Sequence, residues 1–132
     1  MKIKIFILSL LICAFMPTSI AQVVSDEVIG SAIAKADELM KAEKFEDALV
    51  ELEKVREFTR LTKSSAEIEY YYSSQLKLCE CWYNLDQPEK CYLLAKEVLN
   101  DSIPASIRSD VEFYFVLGGY RYSLTLADVS NR

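Results

Sequence analysis

The chain has 132 residues, with 15 basic and 20 acidic side chains, four cysteines and no histidine. The acidic balance argues against nucleic-acid binding, because recognition of phosphates needs a cationic surface. The length predicts one compact domain.

The first 21 residues have the layout of a secretory signal peptide. Two lysines precede an apolar stretch at residues 5–15, and small residues at 19 and 21 precede the expected cut after Ala21. The stretch is too short to cross a bilayer, which takes about 20 helical residues. A lipoprotein signal is the alternative, but it would have a small residue before the cysteine, and Cys13 follows Ile12. We therefore assign Cys13 to the apolar stretch of the signal peptide. We therefore predict an exported protein, periplasmic or secreted.

Removal of the signal peptide leaves residues 22–132, with 13 basic and 20 acidic groups and a net charge of −7. This acidity argues against docking onto anionic lipid. The mature chain has no second apolar stretch of spanning length, so we expect no membrane span there. No motif indicates a cofactor.

Apolar residues at helical spacing predict five helices separated by short polar turns. Ser25 is expected to cap the first helix, and Ser64 with Glu67 forms a capping box for the third. Pro88 and Pro104 open the fourth and fifth. The side chains expected to be buried in the first four helices are Ile29, Ile33, Ala36, Leu39, Met40; Phe45, Ala48, Leu49, Leu52, Val55, Phe58; Ile68, Tyr71, Tyr72, Leu76, Cys79, Trp82, Leu85; and Cys91, Leu94, Ala95, Val98, Leu99. The predicted fold class is all-α, with antiparallel helix pairs.

Residues 111–127 admit two interpretations. Alternation between residues 120 and 126 fits a strand, with Gly118 and Gly119 as a hairpin turn. A helix is favoured, because a hairpin would have no sheet to join. Such a helix is apolar almost all round, whereas the outermost helices of repeat arrays are normally polar outside. We therefore expect a partner, or a second copy of the chain, to cover it. The alternative is that the chain is a shortened version of a longer repeat protein.

The chain contains an internal repeat with a shift of 43 residues. In both copies a small residue is followed three positions later by a large apolar one, and twelve positions later by another small one. Close approach of two helices explains this pattern. The superposed pairs are Ala36 with Cys79, Leu39 with Trp82, Glu43 with Asp86, Glu46 with Glu89, Ala48 with Cys91, and Val55 with Val98.

The repeat resembles the tetratricopeptide repeat family. Residues 43–49, EKFEDAL, match the family stretch Gly-Asp-Tyr-x-x-Ala-(Leu/Ile) except for the glycine, and residues 86–92 match it more weakly. Pro104 lies close to the repeat-closing proline. The resemblance covers about residues 26–126 and implies an array of about two and a half repeats. The period of 43 exceeds the usual 34 or so, and an ordinary helical bundle is the alternative.

In that family the first helix of each pair lines a concave groove that holds a peptide or partner helix. The resemblance therefore implies a protein-binding scaffold or assembly factor. Carried over by position, the groove residues are Ile33, Asp37, Met40, Leu76, Glu80, Tyr83, Phe115 and Tyr122. Asp37 and Glu80 would suit a basic or amphipathic partner, although a merely solvated face explains them equally. The sensory N-terminal portion of a longer envelope regulator is a further alternative.

An enzyme is not expected. The chain has no histidine base, no Gly-x-Ser-x-Gly, no glycine-rich phosphate loop and no Cys-x-x-Cys. The carboxylates between residues 37 and 57 alternate with lysines, as on a solvated helix surface.

Three cysteines remain in the mature chain, too few for a structural zinc site without histidine. The repeat register places Cys79 and Cys91 opposite each other across a helix pair, which suits a disulfide in an oxidising compartment. Cys81 points about 200° away from Cys79 around the helix. A structural disulfide is slightly favoured over simple buried thiols.

Overall fold

The computed structural model describes residues 18–62 and 67–130. This part of the chain forms five helices and no strand: α1 (Thr18–Lys41), α2 (Phe45–Thr62), α3 (Glu67–Asn84), α4 (Pro88–Leu99) and α5 (Ala105–Ser130). The all-α prediction is confirmed, and residues 111–127 form a helix, as favoured over the hairpin. Most of the predicted signal peptide, residues 1–17, and the predicted cap at Ser64 lie outside the described residues.

The first helix begins earlier than the sequence predicted. Ser25 lies inside α1, which starts at Thr18, so its assignment as the capping residue is wrong. The physical reason is the absence of proline and glycine between Pro17 and Gly30, which leaves nothing to interrupt helical hydrogen bonding there.

The helices pack in two layers. α2 lies between α1 and α3, and α4 lies between α3 and α5. α1 also contacts α3, and α3 contacts α5, whereas α2 and α4 do not contact each other. The odd-numbered helices therefore form one layer and the even-numbered helices the other, with α3 touching all four neighbours.

The central position of α3 explains where its burial differs from the prediction. Leu78, Cys81 and Gln75 are completely buried in addition to Cys79, because neighbours cover more than one side of the helix. Ile68 lies in the first turn of α3 and is 46 % exposed. Ile29 and Val55 are buried as well. The main buried cluster of the described chain consists of Ala36, Ala48, Leu49, Leu52, Tyr72, Leu78, Cys79, Cys81, Cys91, Leu94, Ala95, Val98, Ile103 and Val111.

The turns after α1 and α3 have the same backbone structure. Glu43 and Asp86 each have φ of 57°, in the left-handed region. The amide of Lys44 donates to the carbonyl of Leu39 at 2.9 Å, and the amide of Gln87 donates to the carbonyl of Trp82 at 2.9 Å. This six-to-one bond is the Schellman arrangement that usually ends in glycine. The 43-residue shift found in the sequence therefore reappears in the backbone.

Glycine at position 43 is expected to stabilise the protein. A side chain in the left-handed region is strained by about 1–2 kcal/mol, and glycine removes that strain at some loss of chain entropy. Glu43→Gly should raise the free energy of unfolding by roughly 0.5–1 kcal/mol, measured by chemical denaturation. Glu38→Gly, in the exposed interior of α1, should instead lower it by a similar amount. Equal losses in both variants would contradict the strain at Glu43.

Candidate functional site

The odd-helix face is the surface formed by α1, α3 and α5. An ion pair joins the first two of these helices: Lys77 Nζ lies 2.5 Å from Asp37 Oδ1, across 40 positions of sequence. The two side chains are 24 % and 38 % exposed, so water screens the pair and its stabilisation is modest. Its main consequence is positional, since it aligns α1 beside α3 on this face.

An aromatic and cationic cluster joins α3 to α5 on the same face. The ring centroids of Tyr83 and Tyr114 are 6.2 Å apart. The guanidinium of Arg121 lies 5.0 Å from the centre of the Tyr83 ring and donates to Asp86 Oδ1 at 2.6 Å. This geometry combines a cation–π contact with an ion pair. Burial, and next the negative charge of Glu80, raises the pKa of the Tyr114 hydroxyl to about 12.

Six of the eight predicted groove residues lie on α1 and α3, and all six are half-buried. Their positions on each helix are separated by four and then three residues, so each set of three forms one stripe. The stripe of α1 includes Asp37, which contacts α3, and the stripe of α3 includes Tyr83, which contacts α5. The six residues are Ile33, Asp37, Met40, Leu76, Glu80 and Tyr83.

The remaining two predicted residues contact α4 instead of continuing along the odd-helix face. Phe115 stacks on Tyr92 with ring centroids 5.1 Å apart, and the hydroxyl of Tyr122 donates to Glu89 Oε1 at 3.0 Å. The structure therefore places these two side chains beside α4, apart from the six on α1 and α3.

Phe115 and Tyr122 contact α4 because Gly118 lies on the side of α5 that packs against α4. Phe115 and Tyr122 lie three residues before and four residues after Gly118. In the structure, a β-carbon on Gly118 would lie 3.0 Å from Cys91 Sγ, on the helix that precedes α5. Phe115 and Tyr122 share this side of the helix and consequently face α4 as well.

Sequence reasoning missed three side chains of the odd-helix face. Lys77 neutralises the acid at Asp37, and a signal for it existed, because a basic residue one turn before Glu80 falls on the same stripe. Tyr114 and Arg121 each lie one position before a residue that was predicted. No local signal distinguishes them, since their contact with α3 depends on the rotation of α5.

The three cysteines are free, completely buried thiols, so the structure lacks the slightly favoured Cys79–Cys91 bond. The thiol of Cys91 is directed toward α5, where it donates to the Tyr114 carbonyl at 3.6 Å. Burial raises the pKa of Cys91 to about 11 and that of Cys81 to about 12, and it raises the pKa of Cys79 as well. Thiols of this kind are protonated at neutral pH and react slowly.

The part of the chain that the structure describes contains no group of three or more histidine, cysteine or acidic side chains arranged to hold a metal ion. Nor does a helix in residues 18–62 or 67–130 combine the length and apolarity needed to cross a membrane. The odd-helix face presents ion pairs, aromatic rings and aliphatic side chains, which suit recognition of another polypeptide. Comparison of the chain with models of protein families, with curated proteins and with solved structures found no match.

Proposed function

We propose that the chain is an exported protein-binding module whose odd-helix face holds a peptide or a partner helix. The observation that carries the proposal is the continuity of this face across three helices. Half-buried apolar side chains such as Met40 and Leu76 lie on the stripes of α1 and α3. Half-buried side chains of this kind gain contacts and lose water when a partner covers them.

Two features of the helix packing support a tetratricopeptide-like array of about two and a half repeats. The turns at Glu43 and Asp86 have matching φ values and matching hydrogen bonds, as repeated units require. The odd-numbered helices contact one another, whereas α2 and α4 stand apart. Packing that is closer in one layer than in the other curves the array, with the odd-helix face on the inside.

The charges on this face restrict the chemistry of the partner. Lys77 compensates Asp37, and Arg121 compensates Asp86. Glu80 takes part in none of the ion pairs found among the described residues, and it therefore leaves one acidic charge in excess. We expect an amphipathic partner segment whose apolar side chains contact α1 and α3 and whose basic residue approaches Glu80.

Peptides selected on the purified protein from a random displayed library provide the probe. Fluorescently labelled versions of the selected peptides are titrated with the protein, and binding is followed by anisotropy. Tyr83→Ala should weaken binding by at least about tenfold, or 1.4 kcal/mol, because aromatic side chains dominate such interfaces. Glu80→Ala should weaken the binding of basic peptides more than the binding of neutral ones.

Glu97→Ala and Leu93→Ala on the exposed surface of α4 are the matched controls and should leave the affinity unchanged. Thermal unfolding of all four variants shows whether the fold persists. Failure to select any peptide, or equal losses in the control variants, would count against binding at the odd-helix face.

Export is part of the proposal and rests on the arrangement of the first 21 residues, with their basic start, apolar stretch and small residues before the cut. The intact mass of the protein recovered from a secreting host should correspond to a chain that begins at Gln22. A protein that retains Met1 would remove the compartment from the proposal and leave the binding face unaffected.

A further inference from the structure

The described chain has an apolar groove between α1 and α2 that no other helix covers. We call it the end groove, and residues of these two helices alone line it. It encloses about 480 Å³. Val28 and Phe58 in its walls are 58 % and 41 % exposed, although the sequence predicted burial of Phe58. The residues that line the groove include Glu27, Val28, Lys35, Glu51, Lys54 and Phe58.

At the opposite end of the array, α5 carries a second uncovered apolar surface, which we call the outer stripe. It consists of Phe113, Val116, Tyr120 and Leu124, which are 58 %, 68 %, 63 % and 52 % exposed. Their spacing of three and four residues places them on one side of the helix. That side is opposite to Gly118, which packs against α4. α5 is thus apolar on two opposite faces, and α4 covers only one of them.

The two surfaces are complementary in shape and length. A groove between two helices receives a single helix, whereas two grooves or two ridges leave gaps when they are paired. Along α1 the groove extends from Glu27 to Lys35, about 12 Å at 1.5 Å per residue. The part of the outer stripe from Phe113 to Tyr120 measures about 10 Å on the same basis. One end of the array therefore matches the other.

The charges beside the two surfaces are also complementary. Lys35 and Lys54 bond to the same carboxylate, Glu51, at 2.8 Å and 3.1 Å, so this end of the groove has one cationic charge in excess. At the start of the outer stripe, Glu112 pairs with Arg108 at 3.6 Å, and the nearby Asp110 adds a second acid. Attraction between these ends orients the docked helix antiparallel to α1.

We propose that copies of this chain associate head to tail, with the outer stripe of one copy seated in the end groove of the next. The contact joins two different surfaces, so each added copy leaves a free groove at one end and a free stripe at the other. The assembly is therefore an open series that grows with concentration. Its residues lie outside the odd-helix face, and the inference does not depend on the proposed peptide binding.

A complementation experiment on the full chain tests this arrangement by sedimentation velocity. The wild-type protein should increase in average mass with concentration. Val116→Glu removes the stripe and Val28→Glu closes the groove, and each variant alone should be monomeric, with association weakened at least about tenfold. An equimolar mixture of the two should form a complex of two chains and no larger species, because one functional stripe meets one functional groove.

Leu93→Glu places the same charge on an equally exposed apolar position of α4 and should associate like the wild type. A second pair of variants reverses the charges. Glu112→Lys alone and Lys35→Glu alone should each associate more weakly than the wild type, and a mixture of the two should associate again. The proposal would be overturned by any of three results: self-association of the Val28→Glu variant, a mixture that remains monomeric, or a wild-type protein that is monomeric at every concentration.

Discussion

Gly118→Val is expected to lower the free energy of unfolding by about 3 kcal/mol, at the upper end of overpacking effects. A β-carbon at this position would lie 3.0 Å from Cys91 Sγ and 3.1 Å from the backbone nitrogen of Tyr92. A backbone atom cannot rotate away as a flexible side chain does, so α4 and α5 must separate. Their separation also removes the stacking of Phe115 on Tyr92. Chemical denaturation measures the loss.

Two alanine variants separate this steric effect from helix propensity. Alanine is more favourable than glycine inside a helix by about 1 kcal/mol. Gly30→Ala in α1 meets no atom within 4 Å, so it should show this gain in full. Gly118→Ala should show a loss instead, because its β-carbon meets α4. The same gain in both variants would mean that α4 and α5 do not approach as closely as the structure places them.

The stability of the protein should fall steeply above pH 9. The three buried thiols keep their protons in the folded chain, since burial raises their pKa values from an ordinary 9.0 to about 11 for Cys91 and about 12 for Cys81. In the unfolded chain the same thiols ionise near pH 9. The unfolded state then binds fewer protons, so the stability that is complete below pH 9 is lost as the pH rises toward 11.

Each thiol contributes up to about 1.4 kcal/mol per pH unit within this window, so three contribute up to about 4 kcal/mol per unit. Denaturation curves recorded between pH 7 and 11 give the slope. Cys91→Ala should reduce it by up to about one third, and by less at the pH values where Tyr114, whose pKa is also raised, contributes to the slope. An unchanged slope in Cys91→Ala would show that this thiol does not control the alkaline transition.

Local features of the molecule were predictable from the sequence because local interactions produce them. Apolar residues at helical spacing predicted the helices, and the 43-residue shift superposed Glu43 on Asp86, two residues that share a left-handed backbone conformation. Small residues at the helix contacts were also predicted, and Ala36, Ala48 and Cys91 are completely buried.

Burial of side chains whose environment depends on distant parts of the chain was predicted less well. Phe58 has the correct spacing for burial, but it borders the end groove, where the described chain supplies no covering helix. Cys81 points away from Cys79, yet it is buried because α3 has neighbours on several sides. Periodicity identifies an apolar side of a helix, and it does not indicate how many sides the fold will cover.

The candidate site likewise has a part that was predicted, on α1 and α3, and a part that was not, on α5. The residues of the two stripes on α1 and α3 were carried over from the resemblance to the tetratricopeptide repeat family, and the internal repeat places them on equivalent sides of the two helices. The contribution of α5 did not, because Gly118 faces back toward Cys91 and turns Tyr114 and Arg121 toward α3. That rotation results from the close approach of two helices 27 residues apart in sequence at the contact of Cys91 with Gly118, and no local pattern records it.

The sequence by itself determined the all-α class, the number and order of the helices and the equivalence of the two turns, because these depend on spacing and on backbone conformation within a few residues. Tertiary structure decided the free state of the thiols, the contribution of α5 to the odd-helix face and the uncovered surfaces at the two ends. The thiol of Cys91 turns toward Tyr114 rather than toward Cys79 because α5 packs there. Such choices depend on which helices meet, and the packing of the whole chain determines that.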